Sequence, residues 1–123
     1  MSGESRVVSF TGVVESVEKE LIPRLYIGRI VSDDGKYVVE MDLHSELIVF
    51  KPGTRVEVTL TRDIPSYKDG VDLVARGTIV SIKSENEYTS YLISIGGLLF
   101  ILKSKDSLNL SPTEKVYIKI SEI

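Results

Sequence analysis

Between residues 36 and 44 the side chains alternate: Tyr37, Val39, Met41 and Leu43 share one face, while Lys36, Glu40, Asp42 and His44 lie opposite together with Val38. A period of two belongs to a strand that buries one face and wets the other, whereas a helix would space its apolar residues three and four apart. The same alternation places Val56, Val58 and Leu60 against Arg55, Glu57, Thr59 and Thr61, and Val116, Ile118 and Ile120 against Lys115, Tyr117 and Lys119. The apolar member of each set, Tyr37 included, is predicted to face a common interior. No stretch of about 10 residues carries the helical spacing free of β-branched competition, so an all-β chain is predicted.

Four further segments, residues 6–17, 25–31, 73–82 and 92–102, carry apolar residues in both registers. In a small closed barrel one face fills the interior, and a second apolar face needs a loop or a partner to cover it. Turn chemistry separates the strands. Asp33-Asp34-Gly35 and Lys68-Asp69-Gly70 supply residues that tolerate positive φ, Lys51-Pro52-Gly53-Thr54 has the order of a type II turn, and Gly96-Gly97 permits a tight reversal or sharp bend. Two short helical candidates are read as loops: residues 105–110, long enough for one helical turn, and Ser111-Pro112-Thr113-Glu114, whose capping-box spacing runs straight into a strand. No internal repeat is visible. The 123 residues suit one domain spanning 1–123, a single small antiparallel barrel of roughly eight strands.

The supply of chemistry is thin. There is no cysteine, hence no disulfide, thiolate metal site or cysteine nucleophile. His44 is the sole histidine, and a lone imidazole on the polar face of a strand makes a poor zinc ligand set or catalytic base. The acidic pairs Asp33-Asp34 and Asp69/Asp72 lack the twelve-residue loop of a calcium site, and Gly96-Gly97 lacks the GxxxxGK[ST] continuation that cradles phosphate. No catalytic residue, metal or cofactor is expected. A formal charge of −3 gives no net attraction to nucleic acid. The nine aromatic residues are scattered rather than clustered as in single-strand binders. No apolar run approaches the roughly 20 residues of a membrane helix, and nothing reads as an export signal, so a cytoplasmic location without membrane contact is expected.

Four segments then resemble a known family: Leu73-Val74-Ala75-Arg76-Gly77-Thr78, the run Ser94-Ile95-Gly96-Gly97-Leu98-Leu99-Phe100-Ile101-Leu102, then Leu108-Asn109-Leu110, and Val116-Tyr117-Ile118-Lys119-Ile120. Their order is similar to the C-terminal half of the eighth-subunit family of RNA polymerases, the small OB-fold subunit shared by the eukaryotic nuclear enzymes, with shorter archaeal counterparts. The S-x-G-G-L-L run, beginning sixteen residues beyond Thr78, is the most specific element. A weaker echo lies in Val39, Asp42, Leu43, Glu46 and Leu47. Only residues 62–72 stand where eukaryotic members carry a long insertion, and the end is Ser121-Glu122-Ile123 rather than basic, which points to the archaeal branch.

The resemblance implies an OB-type barrel and a non-catalytic, peripheral polymerase subunit that docks on the largest subunit and supports assembly or stability, catalysis residing in other subunits. Gly77, Thr78, Ser94, Gly96, Gly97, Leu98 and Leu99 are the candidate partner-binding residues. The partner is expected either to pack on the second apolar face or to add a strand at an exposed edge. Contact with DNA or RNA is expected to be indirect or weak, and no homo-oligomer is expected. The alternatives are a free-standing OB protein binding single-stranded nucleic acid and, more distantly, a barrel holding an apolar ligand.

Overall fold

The computed structural model describes residues 6–21, 25–44, 50–68 and 72–123. Eight strands follow one another: β1 (Arg6–Lys19), β2 (Leu25–Ser32), β3 (Tyr37–His44), β4 (Arg55–Thr61), β5 (Leu73–Glu85), β6 (Tyr88–Ile95), β7 (Leu98–Ser104) and β8 (Lys115–Glu122). They close into an antiparallel barrel in the order β1-β2-β3-β7-β6-β5-β8-β4, and the described residues contain no helix. The all-β, OB-type barrel expected from the alternation and the resemblance is therefore present. Closure gives every strand two neighbours, so a partner strand has no full-length edge to join, and that half of the docking expectation is corrected.

The interior is filled by the alternating residues. Val39, Val56, Val58, Leu60, Val116 and Ile120 are wholly buried, with Met41, Leu43 and Ile118 nearly so. Tyr37 differs. It sits half-buried at a mouth of the barrel, where its ring stacks on Phe10 with centroids 4.6 Å apart and planes 11° apart. The two-sided segment 92–102 is divided at Gly96-Gly97, both with positive φ (54° and 89°), and β6 turns back on β7 through a ladder running from Ile95↔Leu98 to Thr89↔Ser104. A Cβ would meet nothing within 4 Å at either glycine, so it is the backbone conformation that requires them there. Replacing both with valine is expected to cost well over the roughly 1 kcal/mol of an average substitution. A wild-type denaturation midpoint for that double variant would show the turn to be indifferent to its residues.

Gly35 (φ 74°) and Gly53 (φ 92°) serve the other turns as predicted, and Thr54 N–H donates to the Lys51 carbonyl at 3.0 Å. Residues 105–110 are irregular, and of the capping-box pair only the bond from Ser111 N–H to Glu114 Oε1 forms, at 3.1 Å. Asp69 and Gly70 of the turn assigned to Lys68-Asp69-Gly70 and the echo at Glu46 and Leu47 lie outside the described residues, as does the side chain of His44.

The barrel also contains the repeat that the sequence conceals. In β1–β2 the pairing passes from Val14↔Ile30 to Ser16↔Arg29 with one residue bulged out; in β5–β6 it passes from Ile79↔Ile93 to Ser81↔Leu92 in the same way. Gly12↔Val56 joins β1 to β4 as Gly77↔Val116 joins β5 to β8. Gly53 N–H donates to the Val14 carbonyl at 2.8 Å, and Thr113 N–H donates to the Ile79 carbonyl at 2.8 Å from the same positive-φ conformation. The two halves, β1–β4 and β5–β8, are thus related by an approximate twofold that passes through the pairs Glu40↔Ile101 and Thr59↔Lys119.

Candidate protein-docking face

Five of the seven residues singled out by the sequence come together. Gly77, Thr78, Ser94, Gly96 and Gly97 line one shallow depression beside the β6–β7 turn, with Arg76 and Lys115 at its border. Gly77 lets β5 and β6 approach closely beside it: a Cβ there would lie 2.5 Å from Cγ2 of the buried Ile93 and 2.9 Å from the Ser94 carbonyl oxygen. Leu98 and Leu99 fall on the other side of the turn, in an apolar cleft of about 80 Å³ that Met41, Leu43, Leu73 and Phe100 also line. The cleft arises because the β3–β7 ladder runs from Tyr37↔Ser104 only to Met41↔Phe100. Beyond that pair the strands part, and the Asp42 carboxylate takes the Leu99 N–H at 3.0 Å.

The outer surfaces of the two halves differ. On the first half the bulge residue Glu15 meets Arg29, with Arg29 Nε 2.9 Å from Glu15 Oε1 and Nη1 3.4 Å from Glu40 Oε2, while Lys103 Nζ lies 3.2 Å from Glu40 Oε1. The twofold-related positions on the second half are Val80, Leu92 and Ile101. Val80 is 53% exposed and nearby Leu99 43%, with Leu92 and Ile101 half-buried between them. One face is therefore closed off by its own ion pairs, and the matching face is an apolar patch. Single exposed apolar residues are ordinary; here four lie at neighbouring positions of β5, β6 and β7. Val80, Leu92, Ile101, Arg76 and Lys115 are not among the residues that the sequence singles out. The signal for the first three is the double apolar register of residues 73–82 and 92–102.

Electrostatics follow the same asymmetry. Arg55 grips Asp33 through Nη2 at 2.6 Å and Nη1 at 3.3 Å, and the Thr11 hydroxyl adds a bond at 2.9 Å. These bonds hold the Asp33 carboxyl below its ordinary 3.8, the Arg55 hydrogen bond first among the causes. Asp34, bonded by Lys36 N–H at 3.0 Å and the Ser32 hydroxyl at 2.8 Å, is lowered likewise, chiefly by the backbone bond. A folded-state value below the unfolded one contributes stability that is complete above 3.8 and disappears as pH falls through the lowered value. The Asp33→Asn variant is accordingly expected to lose part of the wild type's dependence on pH in that acid window, read from denaturation midpoints across the window; superimposable profiles would contradict it. At the other end of the barrel, loss of water and the neighbouring Asp42 carboxylate raise Glu20 above its ordinary 4.5.

Among the described residues no group of His, Cys, Asp and Glu could hold a metal ion, and no helix is long and apolar enough to cross a membrane. No curated protein matches the chain. Among solved structures, one of the cytoplasmic molybdate-binding protein ModG with molybdate bound is similar over 93% of this chain and 89% of that one, at 15% identity and a TM-score of 0.35, a likeness too slight to carry any argument. The family model for the RpbG subunit of DNA-directed RNA polymerase matches residues 7–123. With all of the barrel but its first residue, Arg6, inside that match, the chain belongs to the RpbG family of DNA-directed RNA polymerase subunits and is a component of that multisubunit enzyme.

Proposed function

We propose that the chain is a non-catalytic, peripheral subunit that docks on the largest polymerase subunit in the cytoplasm and stabilises the assembled enzyme, the single barrel of residues 1–123 acting as one unit. The observation that carries this reading is the replacement of the Glu15–Arg29–Glu40 ion pairs, at the twofold-related positions, by Val80, Leu92 and Ile101. Water contact with such a patch is unfavourable by roughly 25 cal/mol per Å², and a partner surface removes it. The catalytic groups reside in other subunits, and this chain contributes shape and apolar area.

The Leu99→Lys variant tests the reading. Lysine is chosen because the Asp42 carboxylate at the Leu99 N–H tolerates a cation and would repel an acid. The isolated barrel should keep its wild-type spectrum and melt within a few degrees of wild type, while its affinity for polymerase lacking this subunit should fall by about tenfold or more. Unfolding of the isolated variant would place Leu99 in the core, and unchanged assembly would remove this face from the interface.

A further inference from the structure

The first half of the barrel carries its own answer to what the depression on the second half receives. Arg55 and Thr11 converge on the Asp33 carboxylate, which the four-residue turn of residues 33–36 places between them. Lys115 is the twofold counterpart of Arg55, since Thr78↔Lys115 repeats Val13↔Arg55, and Arg76 is the counterpart of Thr11, since Arg76↔Tyr117 repeats Thr11↔Glu57. The turn between them is shortened to Gly96-Gly97, which brings no carboxylate. Two cations and the hydroxyls of Thr78 and Ser94 thus surround the place where the first half seats an acid. Among the described residues neither Arg76 nor Lys115 enters an ion pair; Arg76 lies over the Tyr117 ring at 5.9 Å from its centroid. The β5–β6 ladder starts at Thr78↔Ser94, one pair short of its counterpart Gly12↔Ser32, which widens the depression at the turn.

We propose that this depression is a carboxylate-receiving site, filled by an Asp or Glu side chain of the neighbouring polymerase subunit that packs on Val80, Leu92 and Leu99. The inference rests on the docking reading and adds to it the chemistry of the partner: an apolar segment bearing an acidic residue, taken up by Arg76 and Lys115 as Asp33 is taken up within the chain. Charge complementarity decides for an acid. A chain of net charge −3 leaves two cations together in one concavity, next to the apolar patch a partner would cover. The glycine turn leaves room for an incoming side chain, because nothing stands within 4 Å of where either Cβ would be.

The test measures binding of the full chain to reconstituted polymerase lacking this subunit, across a salt series, for wild type, for Arg76→Gln with Lys115→Gln, and for a control that removes two exposed charges elsewhere, Lys19→Gln with Lys51→Gln. The site predicts about a tenfold or greater loss and a shallower salt dependence for the first pair and wild-type behaviour for the control. Zero-length carbodiimide coupling of the assembled enzyme should join the Lys115 amine to an acidic residue of another subunit. Equal binding by wild type and the Arg76, Lys115 variant would overturn the inference and leave the docking reading standing. Failure of wild type itself to bind would overturn the docking reading and the inference with it. A loss seen only when DNA or RNA is present would identify the occupant as a nucleic-acid phosphate and overturn the assignment to a carboxylate.

Discussion

Phe100→Ala is expected to destabilise the barrel by about 3–5 kcal/mol, the range for removing a fully buried ring from a packed core. Phe100 has no exposed surface and lies across from Ile93 on β6 and Met41 on β3, at the last pair before the β3–β7 ladder parts. It therefore does two things: it fills the interior, and it forms the wall between the core and the apolar cleft beside Leu98 and Leu99. Truncation would merge that cleft with a new internal void, and the strands around it are tied into a closed ladder that collapses poorly. A loss of such size is a large part of the roughly 5–15 kcal/mol that holds a domain together. The variant is expected to unfold at a much lower denaturant concentration with an unchanged slope. A midpoint near wild type would mean that the ring does not fill the core.

Gly12→Ala is expected to cost about 3 kcal/mol, at the upper end of overpacking penalties. The added Cβ would lie 2.4 Å from the Val31 carbonyl oxygen and 2.9 Å from its carbon, both backbone atoms of the neighbouring strand. No rotamer change relieves such a clash. β1 and β2 would have to separate where Gly12 pairs with Ser32 on one side and Val56 on the other. The twofold-related Gly77→Ala meets the Ile93 side chain first, at 2.5 Å, then the Ser94 carbonyl oxygen at 2.9 Å, so part of its strain is relieved by side-chain movement and a smaller cost is expected. Thermal denaturation of the two single variants compares them directly. Equal stability of Gly12→Ala and wild type would show that this close approach does not exist in solution.

The strands legible in the sequence are those with one wet face. β3, β4 and β8 alternate so regularly that their inward residues can be named, and those residues are buried, Tyr37 alone stopping half-way at the barrel mouth. Residues 92–102 resist division into strands because both registers are apolar, and there the glycine pair carries the information through its φ angles. The repeat is not legible for a physical reason. A twofold barrel asks for the same geometry at matched positions, and different residues provide it: Gly53 and Thr113 share a positive φ, and Phe50 and Leu110 both close the core ahead of their turns. The matched surface positions differ outright, with Glu15, Arg29 and Glu40 on one half and Val80, Leu92 and Ile101 on the other. Gly77, Thr78, Ser94, Gly96 and Gly97 gather around one depression because Thr78 pairs with Ser94 just before the β6–β7 turn. Arg76 stands in the resemblance segment without being singled out and Lys115 stands outside it; the juxtaposition of the two appears only when each is compared with its counterpart across the twofold.

Affinity purification of the tagged chain from its native host, with identification of the chains that accompany it, tests the central claim most directly. The predicted result is recovery of the polymerase subunits, the largest among them, by wild type, and their depletion when Leu99→Lys is the bait. Recovery of the chain alone, or with single-stranded nucleic acid in place of polymerase subunits, would contradict it.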